Sequence, residues 1–376
     1  MEDSKPIAML FGDGHADRNA WSGRPTLWGD AIHSFRWLLS KSHELGIPVV
    51  GAGDLIDVRR PEPWVVNMLR MELDVLESDD IPFYYIQGQH ELDRKDPWMS
   101  SIHPHATYIH QRSIELSGIK LYGLDWTPAD QLEDELKAIP EDTDLFVCHQ
   151  VWHEFMGDMA YEGTLRDIRS PWVFTGDFHE NKEISVENVF GSTTQIISPG
   201  ATNIRRISES PKKYAYVLHA DSSNRIGWWE KLSIPTRYLL RYEIYTDDDL
   251  DKVEADIPVQ LETTVVEHNT KLKLPDNLHT PIIDVQYSDQ VDNVWSRLTK
   301  VCGKDSHVFL RMQSAKTERI AEEHQFSSDM SGGPADCLQL LLDPEDAIYK
   351  LGLRFIQSQD FQKEILDARK ERGLCD

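Results

Sequence analysis

Five short polar motifs each follow directly after an apolar run in the sequence. They are built from Asp, His, Gln and Glu, whose oxygen and nitrogen atoms bind divalent cations. One such residue after a strand is usually a cap, but five in series are hard to obtain by chance, so the pattern predicts a shared metal site. The motifs are Asp13-x-His15, Gly53-Asp54, Gly88-Gln89-His90-Glu91, His149 and Gly176-Asp177-x-His179.

The donor types indicate what such a site would do. Two cations about 3.5–4 Å apart lower the pKa of a water between them and hold the attacking and leaving oxygens of a phosphodiester. A mixed set of nitrogen and oxygen donors favours Mn, Fe or similar ions. The four cysteines have no CxxC spacing, which excludes a zinc ribbon. The donor types are therefore compatible with two-metal chemistry of this kind.

The segments around the motifs predict an α/β fold. Apolar strands such as "IPVVGAG", "PFYYI" and "WVFTG" alternate with helical patterns, one of them running from about Asp30 to Glu44 and stopped by Gly46 and Pro48. In α/β sheets, ligands gather at the carboxyl ends of the strands, and all five motifs fall there. We therefore expect the motifs to meet at one edge of the sheet.

The pattern changes after the segment "IISPGATNIRR". Two strands resembling a hairpin close a first domain, predicted at residues 1–240. A small α/β domain with a strand–helix–strand order is predicted at 241–326, after an acidic run that reads as a linker or a helix start. The Gly- and Ser-rich segment 327–334 predicts a linker, and 335–376 predicts a tail of two short helices.

Composition limits the classes of function. The formal net charge is −25, whereas proteins that bind nucleic acid without sequence preference are usually basic, so the charge argues against tight unaided binding to DNA or RNA. No window approaches the length of a membrane span, and the few cysteines fit a reducing compartment. The sequence predicts a soluble, cytoplasmic protein that does not contact a membrane.

The motifs resemble those of the calcineurin-like metallophosphoesterases, whose pattern is DxH, GDxxD, GNH(D/E), H and GHxH. Within this superfamily the chain looks like the nuclease subunit of the SbcCD complex and its archaeal, eukaryotic and bacteriophage relatives. "GDLID", His149–Gln150, the "PG" turn after the last motif and the small downstream domain carry the narrower resemblance. The resemblance implies a metallophosphoesterase sheet sandwich flanked by helices, with a small α/β cap domain and a C-terminal helical tail.

The resemblance also implies a role for each motif residue. His90 would lie beside the scissile phosphate and stabilise the transition state or donate to the leaving oxygen, with Glu91 orienting its ring. Asp54 would bridge the two cations. The first cation would be held by Asp13, His15, Asp54 and His179, and the second by Asp54, Gln89, His149 and Asp177.

Two residues depart from the family pattern. Gln89 stands where Asn is usual, and Asp177 stands where His is usual, and both belong to the second cation. Each still offers an oxygen donor, so we interpret Asp177 as a substituted ligand and not as the trace of a lost site. The substitutions make the second position richer in oxygen, which favours Mn²⁺ or Mg²⁺ over zinc.

The densest basic cluster follows the "PG" turn. An ordinary charged loop and a contact to a phosphate backbone explain it equally well. We keep its members as candidates for DNA contact. They are Arg205, Arg206, Lys212 and Lys213.

These inferences predict a metal-dependent DNA exonuclease or endonuclease acting in DNA repair, recombination or replication. The resemblance implies two divalent cations, with Mn²⁺ favoured and Mg²⁺ or Fe²⁺ as alternatives. It implies DNA and an SbcC-like coiled-coil ATPase as partners, the latter gripped by the tail, and it is compatible with a homodimer. The alternatives are a phosphomonoesterase or cyclic-nucleotide phosphodiesterase of the same fold, and a weakly active scaffold subunit.

Overall fold

The structure, a computed structural model, describes residues 5–16, 27, 29–156, 163–221, 225–302 and 307–313. Among these residues the chain divides into two compact units. The first holds the described residues up to 241 together with 254–284, 299–302 and 307–309. The second holds 242–253, 285–298 and 310–313.

Twelve strands of the first unit form two six-stranded sheets. The first sheet has the order β12-β11-β1-β2-β3-β4 and the second has the order β5-β6-β7-β8-β10-β9. The strands are β1 (Lys5–Phe11), β2 (Val49–Ala52), β3 (Phe83–Ile86), β4 (Ala106–Tyr108), β5 (Arg112–Leu116), β6 (Ile119–Leu124), β7 (Leu145–His149), β8 (Trp172–Gly176), β9 (Lys182–Glu187), β10 (Thr193–Ser198), β11 (Lys213–Ala220) and β12 (Ile226–Ile234).

The two sheets pack face to face. Leu10 and Val50 of the first sheet share one buried apolar cluster with Leu121, Leu145 and Phe174 of the second. The motif-bearing strands are parallel neighbours, β1 with β2 and β3 in one sheet and β7 with β8 in the other. Strands covered on both faces read as continuous apolar runs, which is how they appear in the sequence.

Helices cover the outer faces of the sandwich. The first helix buries Phe35, Leu38 and Leu39 against the first sheet, and Gly46 ends it with a φ of 63°. The predicted α/β sheet sandwich flanked by helices is therefore confirmed within the described residues. The helices of this part are α1 (Asp30–Leu45), α2 (Pro63–Ser78), α3 (Trp98–Ile102), α4 (Ala129–Lys137) and α5 (His153–Met156).

The remaining elements follow the sandwich along the chain. The predicted hairpin is β11 with β12, and the strand–helix–strand order is present. The acidic run begins a helix, and a further helix that the sequence analysis did not predict comes after it. These elements are β13 (Leu239–Ile244), α6 (Asp247–Glu262), α7 (Thr264–Leu272), β14 (Ile282–Ser288), α8 (Val294–Val301) and β15 (His307–Gln313), and their three strands form a sheet in the order β13-β14-β15.

Two of the predicted segments, a linker and a helical tail, follow β15 in the sequence. The predicted linker at 327–334 and the predicted helical tail at 335–376 lie outside the described residues, and the domain boundaries stay predictions. Among the described helices, none combines the length and apolar character needed to cross a membrane.

Candidate metal centre

The five polar motifs lie at the carboxyl ends of β1, β2, β3, β7 and β8. Hydrogen bonds made by two residues join the two sheets at this edge. Nδ1 of His149 lies 2.7 Å from the carbonyl oxygen of Ala52, and the backbone N–H of Asp177 donates to both carboxylate oxygens of Asp13 at 3.1 and 3.2 Å. Because of these bonds, motifs that are far apart in the sequence converge on one place.

Three of the motif residues have unusual backbone conformations. His15, Asp54 and Asp177 have φ values of 44°, 47° and 74°, in the left-handed region that residues other than glycine seldom adopt. Such conformations cost free energy and are found mainly where the surrounding structure requires them, often at functional sites. Here they belong to the turns that carry the side chains of the site.

Asp54 is the central carboxylate of the site and is fully buried. Its Oδ1 accepts the backbone N–H of His90 at 3.2 Å. Its Oδ2 lies 3.4 Å from Nε2 of His149, 3.7 Å from Nε2 of His90 and 3.9 Å from Nε2 of His15, and it makes no hydrogen bond. This carboxylate oxygen therefore lies among the imidazoles of three motifs, where the predicted bridging ligand would have to lie.

Two buried imidazole rings are oriented by oxygen atoms behind them. Nδ1 of His15 lies 2.5 Å from Oδ1 of Asp57, and Nδ1 of His149 faces the Ala52 carbonyl. Histidines that bind metals commonly donate through one ring nitrogen to such an oxygen, which directs the lone pair of the other nitrogen to the metal. Both Nε2 atoms here point to the centre of the site.

The third imidazole has a carboxylate near it, but at a distance too long for a hydrogen bond. Nδ1 of His179 lies 3.7 Å from Oε1 of Glu209, a buried carboxylate that is also paired with Lys213 at 2.8 Å. The sequence analysis did not single out Asp57 or Glu209. Asp57 could have been found because it is the last residue of "GDLID", whereas Glu209 lies in "ISESP", which carries no signal.

The two residues that depart from the family pattern contact each other. Nε2 of Gln89 donates to Oδ1 of Asp177 at 2.8 Å, and this carboxylate oxygen lies 3.9 Å from Nε2 of His149. Oε1 of Gln89 is buried and makes no hydrogen bond. Their direct contact is consistent with the interpretation that the two substitutions belong together.

Three buried donor atoms of the predicted second cation position have no hydrogen-bond partner. They are Oδ2 of Asp54, Nε2 of His149 and Oε1 of Gln89. Buried polar atoms are nearly always satisfied, and leaving one unsatisfied costs about 1–3 kcal/mol. Oδ2 of Asp54 and Nε2 of His149 lie 3.4 Å apart, which fits a divalent cation bound to both atoms, and the donor types fit the ion class that the resemblance implies.

The ligands predicted for the first cation also come together. Nε2 of His179 lies 3.6 Å and Nε2 of His15 3.9 Å from Oδ1 of Asp13. Asp13, His15 and His179 have ligand atoms close enough for one ion, as do Asp13, Asp54 and His149. Here, however, both imidazole Nε2 atoms contact the guanidinium of Arg205.

The electrostatics of the site favour positive charge. Burial alone would lower the pKa of His149, but the carboxylates of Asp54 and Asp13 raise it well above its usual value. The same carboxylates would attract a divalent cation, which would replace the proton on Nε2 of His149.

His90 and Glu91 differ sharply in their surroundings. The side chain of His90 is 38% exposed and lies at the mouth of the site. The side chain of Glu91 is buried and accepts the backbone N–H groups of Leu55 and Ile56 at 3.2 and 2.9 Å. These bonds give Glu91 a different role from the predicted one, since it holds the turn after Asp54 and not the His90 ring.

The basic cluster is divided by burial. Arg206 and Lys212 are exposed, whereas Arg205 and Lys213 are buried. Lys213 is paired with Glu209, and Arg205 contacts the imidazoles of the site. The buried positions of Arg205 and Lys213 do not fit the predicted DNA contact, and only Arg206 and Lys212 remain candidates for it.

Sequence comparison identifies relatives of this chain. A Mre11 DNA double-strand break repair protein of Haloferax volcanii is 28% identical over 196 residues, which are 45% of this chain and 44% of that protein. The corresponding protein of Methanosarcina mazei is 24% identical over 254 residues, which are 64% of this chain and 39% of that protein. This chain is similar in sequence to Mre11 proteins over part of its length. It spans less than half the length of these Mre11 proteins, and no protein-family model matches it.

The solved structures that resemble this chain are less similar to it in sequence than the Mre11 proteins are. An archaeal phosphodiesterase is 13% identical with a TM-score of 0.34, and 60% of this chain and 98% of that chain are covered. A protein of Thermus thermophilus is 12% identical with a TM-score of 0.40, and 61% of this chain and 99% of that chain are covered. The similarity to Mre11 is one of sequence.

Proposed function

We propose that the chain is a metal-dependent DNA nuclease that hydrolyses phosphodiester bonds. The observation that carries the proposal is the convergence of five motifs at one edge of the sandwich, where Oδ2 of Asp54 and Nε2 of His149 are buried, unsatisfied and 3.4 Å apart. The similarity to the Mre11 repair proteins supports DNA as the substrate class.

Seven side chains would hold two divalent cations in this proposal. When bound, the cations would activate a water and neutralise the charge of the phosphate, and the oxygen-rich second position favours Mn²⁺, with Mg²⁺ or Fe²⁺ as alternatives. Asp54 would belong to both ligand sets. The first set is Asp13, His15, Asp54 and His179, and the second is Asp54, Gln89, His149 and Asp177.

His90 would act on the substrate. Its ring is exposed at the mouth of the site, and Oδ1 of Asp54 fixes its backbone N–H. As a water oxygen bonds to phosphorus and the bond to the leaving oxygen breaks, His90 would donate a hydrogen bond or a proton to that oxygen. Glu91 would support this position indirectly by holding the turn at Leu55 and Ile56.

Digestion of end-labelled single- and double-stranded DNA with Mn²⁺ tests the activity. We expect cleavage by the wild-type chain and a loss of at least 100-fold in His90→Ala, with unchanged metal content. His43→Ala is the control, because His43 lies on the surface and pairs with Asp79. Hydrolysis of a small chromogenic diester without cleavage of DNA would instead favour a phosphodiesterase acting on small substrates. Bound metal without hydrolysis of either would favour a scaffold.

We also propose that the chain works with an SbcC-like coiled-coil ATPase, through the predicted tail at 335–376. The net charge of −25 supports a partner that supplies affinity for DNA. Truncation after Gly333 should abolish capture of the ATPase in a pull-down and preserve hydrolysis of a small diester. Continued capture by the truncated chain would exclude the tail as the tether.

A further inference from the structure

Arg205 places a fixed positive charge among the ligands proposed for the first cation. Its Nη1 contacts Nε2 of His15 and lies 2.9 Å from Nε2 of His179. Its Nη2 lies 3.3 Å from Oδ1 of Asp57. The Arg205 side chain is 7% exposed. The guanidinium therefore lies inside the site and not on the surface above it.

Because of the chemistry of a guanidinium, Arg205 in this position excludes a cation from the two imidazole nitrogens that it contacts. A guanidinium has only donor groups and stays protonated in proteins, so each imidazole must accept through the Nε2 lone pair that a cation would use. Metal–nitrogen bonds of about 2 Å leave no room for an N–H donor on the same lone pair. Arg205 and a cation cannot both occupy Nε2 of His15 and His179.

The position of Arg205 is also fixed by its own segment. The backbone N–H of Arg205 donates to Oε2 of Glu209 at 3.1 Å. The backbone N–H of Thr202 donates to the carbonyl of Asp13 at 3.0 Å, and Nδ2 of Asn203 donates to the carbonyl of Gly14 at 3.0 Å. These bonds tie the segment before Arg205 to the turn that carries Asp13 and His15, so the approach of the guanidinium is set by the fold.

We propose that Arg205 is an intrinsic competitor for the first cation. Its guanidinium holds the His15–His179 pair in the metal-free protein, and the first cation binds only when this side chain leaves. The two cation positions are therefore unequal, with a tight second position and a weak first one. The inference rests on the ligand sets of the proposed function and adds to them a residue that sets the affinity of one position.

Titration of the full chain with Mn²⁺, followed by the EPR signal of the free ion, tests the proposal. We expect wild type to bind one ion tightly and a second at least tenfold more weakly. Arg205→Met removes the charge and keeps much of the side-chain length, so the weak position should gain at least tenfold while the tight one is unchanged. Arg206→Met, the exposed neighbour, should behave as wild type.

Two further variants keep the result interpretable. Arg205→Lys retains the charge and should keep the weak position weak, and adding His179→Ala to Arg205→Met should remove the gain. Melting temperatures in EDTA show whether each variant is folded. If folded Arg205→Met bound Mn²⁺ at the weak position with unchanged or lower affinity, the role of Arg205 would be overturned. The proposed function would not be affected by that result. If neither wild type nor Arg205→Met bound Mn²⁺, the ligand assignment and with it the proposed function would fail.

Discussion

At the scale of single residues, the site depends on how each donor atom is oriented by a second group. Asp57 stands behind His15 and the Ala52 carbonyl behind His149, and the backbone N–H of Asp177 holds the carboxylate of Asp13. Removing such supporting groups typically costs 10- to 100-fold in metal affinity, although they do not touch the metal. The ligand types alone would not give this orientation.

The contact between Gln89 and Asp177 leads to a prediction about coupled substitutions. Because Nε2 of Gln89 donates to Asp177, changing either residue alone leaves the other in the wrong geometry. Gln89→Asn combined with Asp177→His should bind Mn²⁺ at the second position more tightly than the weaker of the two single variants, by at least threefold. Isothermal titration of the four proteins measures the coupling free energy. A double variant no better than the weaker single one would contradict it.

Asp125 provides a prediction for pH dependence outside the ligand sets. It is fully buried and accepts hydrogen bonds from the backbone of Gln87 and the hydroxyl of Tyr108, and burial raises its pKa to about 6. The folded state therefore binds more protons than the unfolded state between about pH 4 and 6. Its contribution to stability is present at low pH and is lost as the pH rises through this window.

Asp125→Asn removes this titration. Wild type should lose stability as the pH rises from 4 to 7, because Asp125 must ionise in a buried position, and the variant should not. The free energy of unfolding of the variant relative to wild type should therefore increase by about 2 kcal/mol between pH 4 and pH 7. Urea unfolding of both proteins in EDTA at the two pH values measures the difference, and Asp142→Asn, an exposed position, serves as control. A stability difference that does not change with pH would show that Asp125 ionises normally in the folded protein.

At the scale of elements, the turns after the strands decide whether the donors meet. Gly53 follows β2 with a φ of 88°, and a Cβ placed there would lie 2.5 Å from Nδ1 of His149 and 2.8 Å from the backbone nitrogen of Gly88. Real side chains do not approach this closely, so the turn between β2 and Asp54 requires glycine. The same turn is held from the other side by Glu91.

Gly53→Ala should therefore lose Mn²⁺ at the second position, because the new methyl group displaces the His149 ring. We expect at least a tenfold loss of affinity and a free energy of unfolding lower by about 2 kcal/mol or more. Gly191→Ala is a matched control, since Gly191 has a φ of 78° but nothing within 4 Å of its added Cβ. It should cost about 1 kcal/mol and leave Mn²⁺ binding unchanged. Wild-type metal affinity in Gly53→Ala would contradict this account of the turn.

At the scale of the whole molecule, the charge balance limits how the chain can reach DNA. The net charge is −25, and of the four residues in the basic cluster only Arg206 and Lys212 are exposed. Phosphate contacts supply most of the affinity of nonspecific DNA binding, and bound divalent cations would add to them only at the site itself. An isolated acidic chain therefore has little long-range attraction for a duplex.

We expect the isolated chain in EDTA to bind a labelled 30-base-pair duplex with a Kd weaker than about 10 μM at 0.15 M salt. Fluorescence anisotropy measures this affinity, and Mn²⁺ added to the inactive His90→Ala variant should tighten it. The combined Arg206→Glu and Lys212→Glu variant should weaken whatever binding remains at low salt. Nanomolar affinity in EDTA would show that the chain carries a DNA surface that the charge argument has missed.

The sequence by itself predicted an α/β sheet and the motifs of the site, and the family resemblance implied the sandwich. Apolar runs followed by polar residues are local signals, and parallel strands bring their carboxyl ends to one edge. Gln89 and Asp177 could be recognised from the sequence as departures from the family motifs, because each lies within a short local motif. Their mutual hydrogen bond was visible only in the structure. The helix α7 was missed because its apolar positions are few and it follows α6 almost directly.

Only the tertiary structure decided which neighbours of the motifs belong to the site. Arg205 and Arg206 are adjacent and chemically equivalent in the sequence, yet one is buried against His15 and the other is exposed. Glu209 accepts the backbone N–H of Arg205 from a segment without a motif, and Glu91 holds a backbone turn instead of the neighbouring ring. These outcomes depend on packing between segments as far as 190 residues apart, and local residue types do not encode such distances.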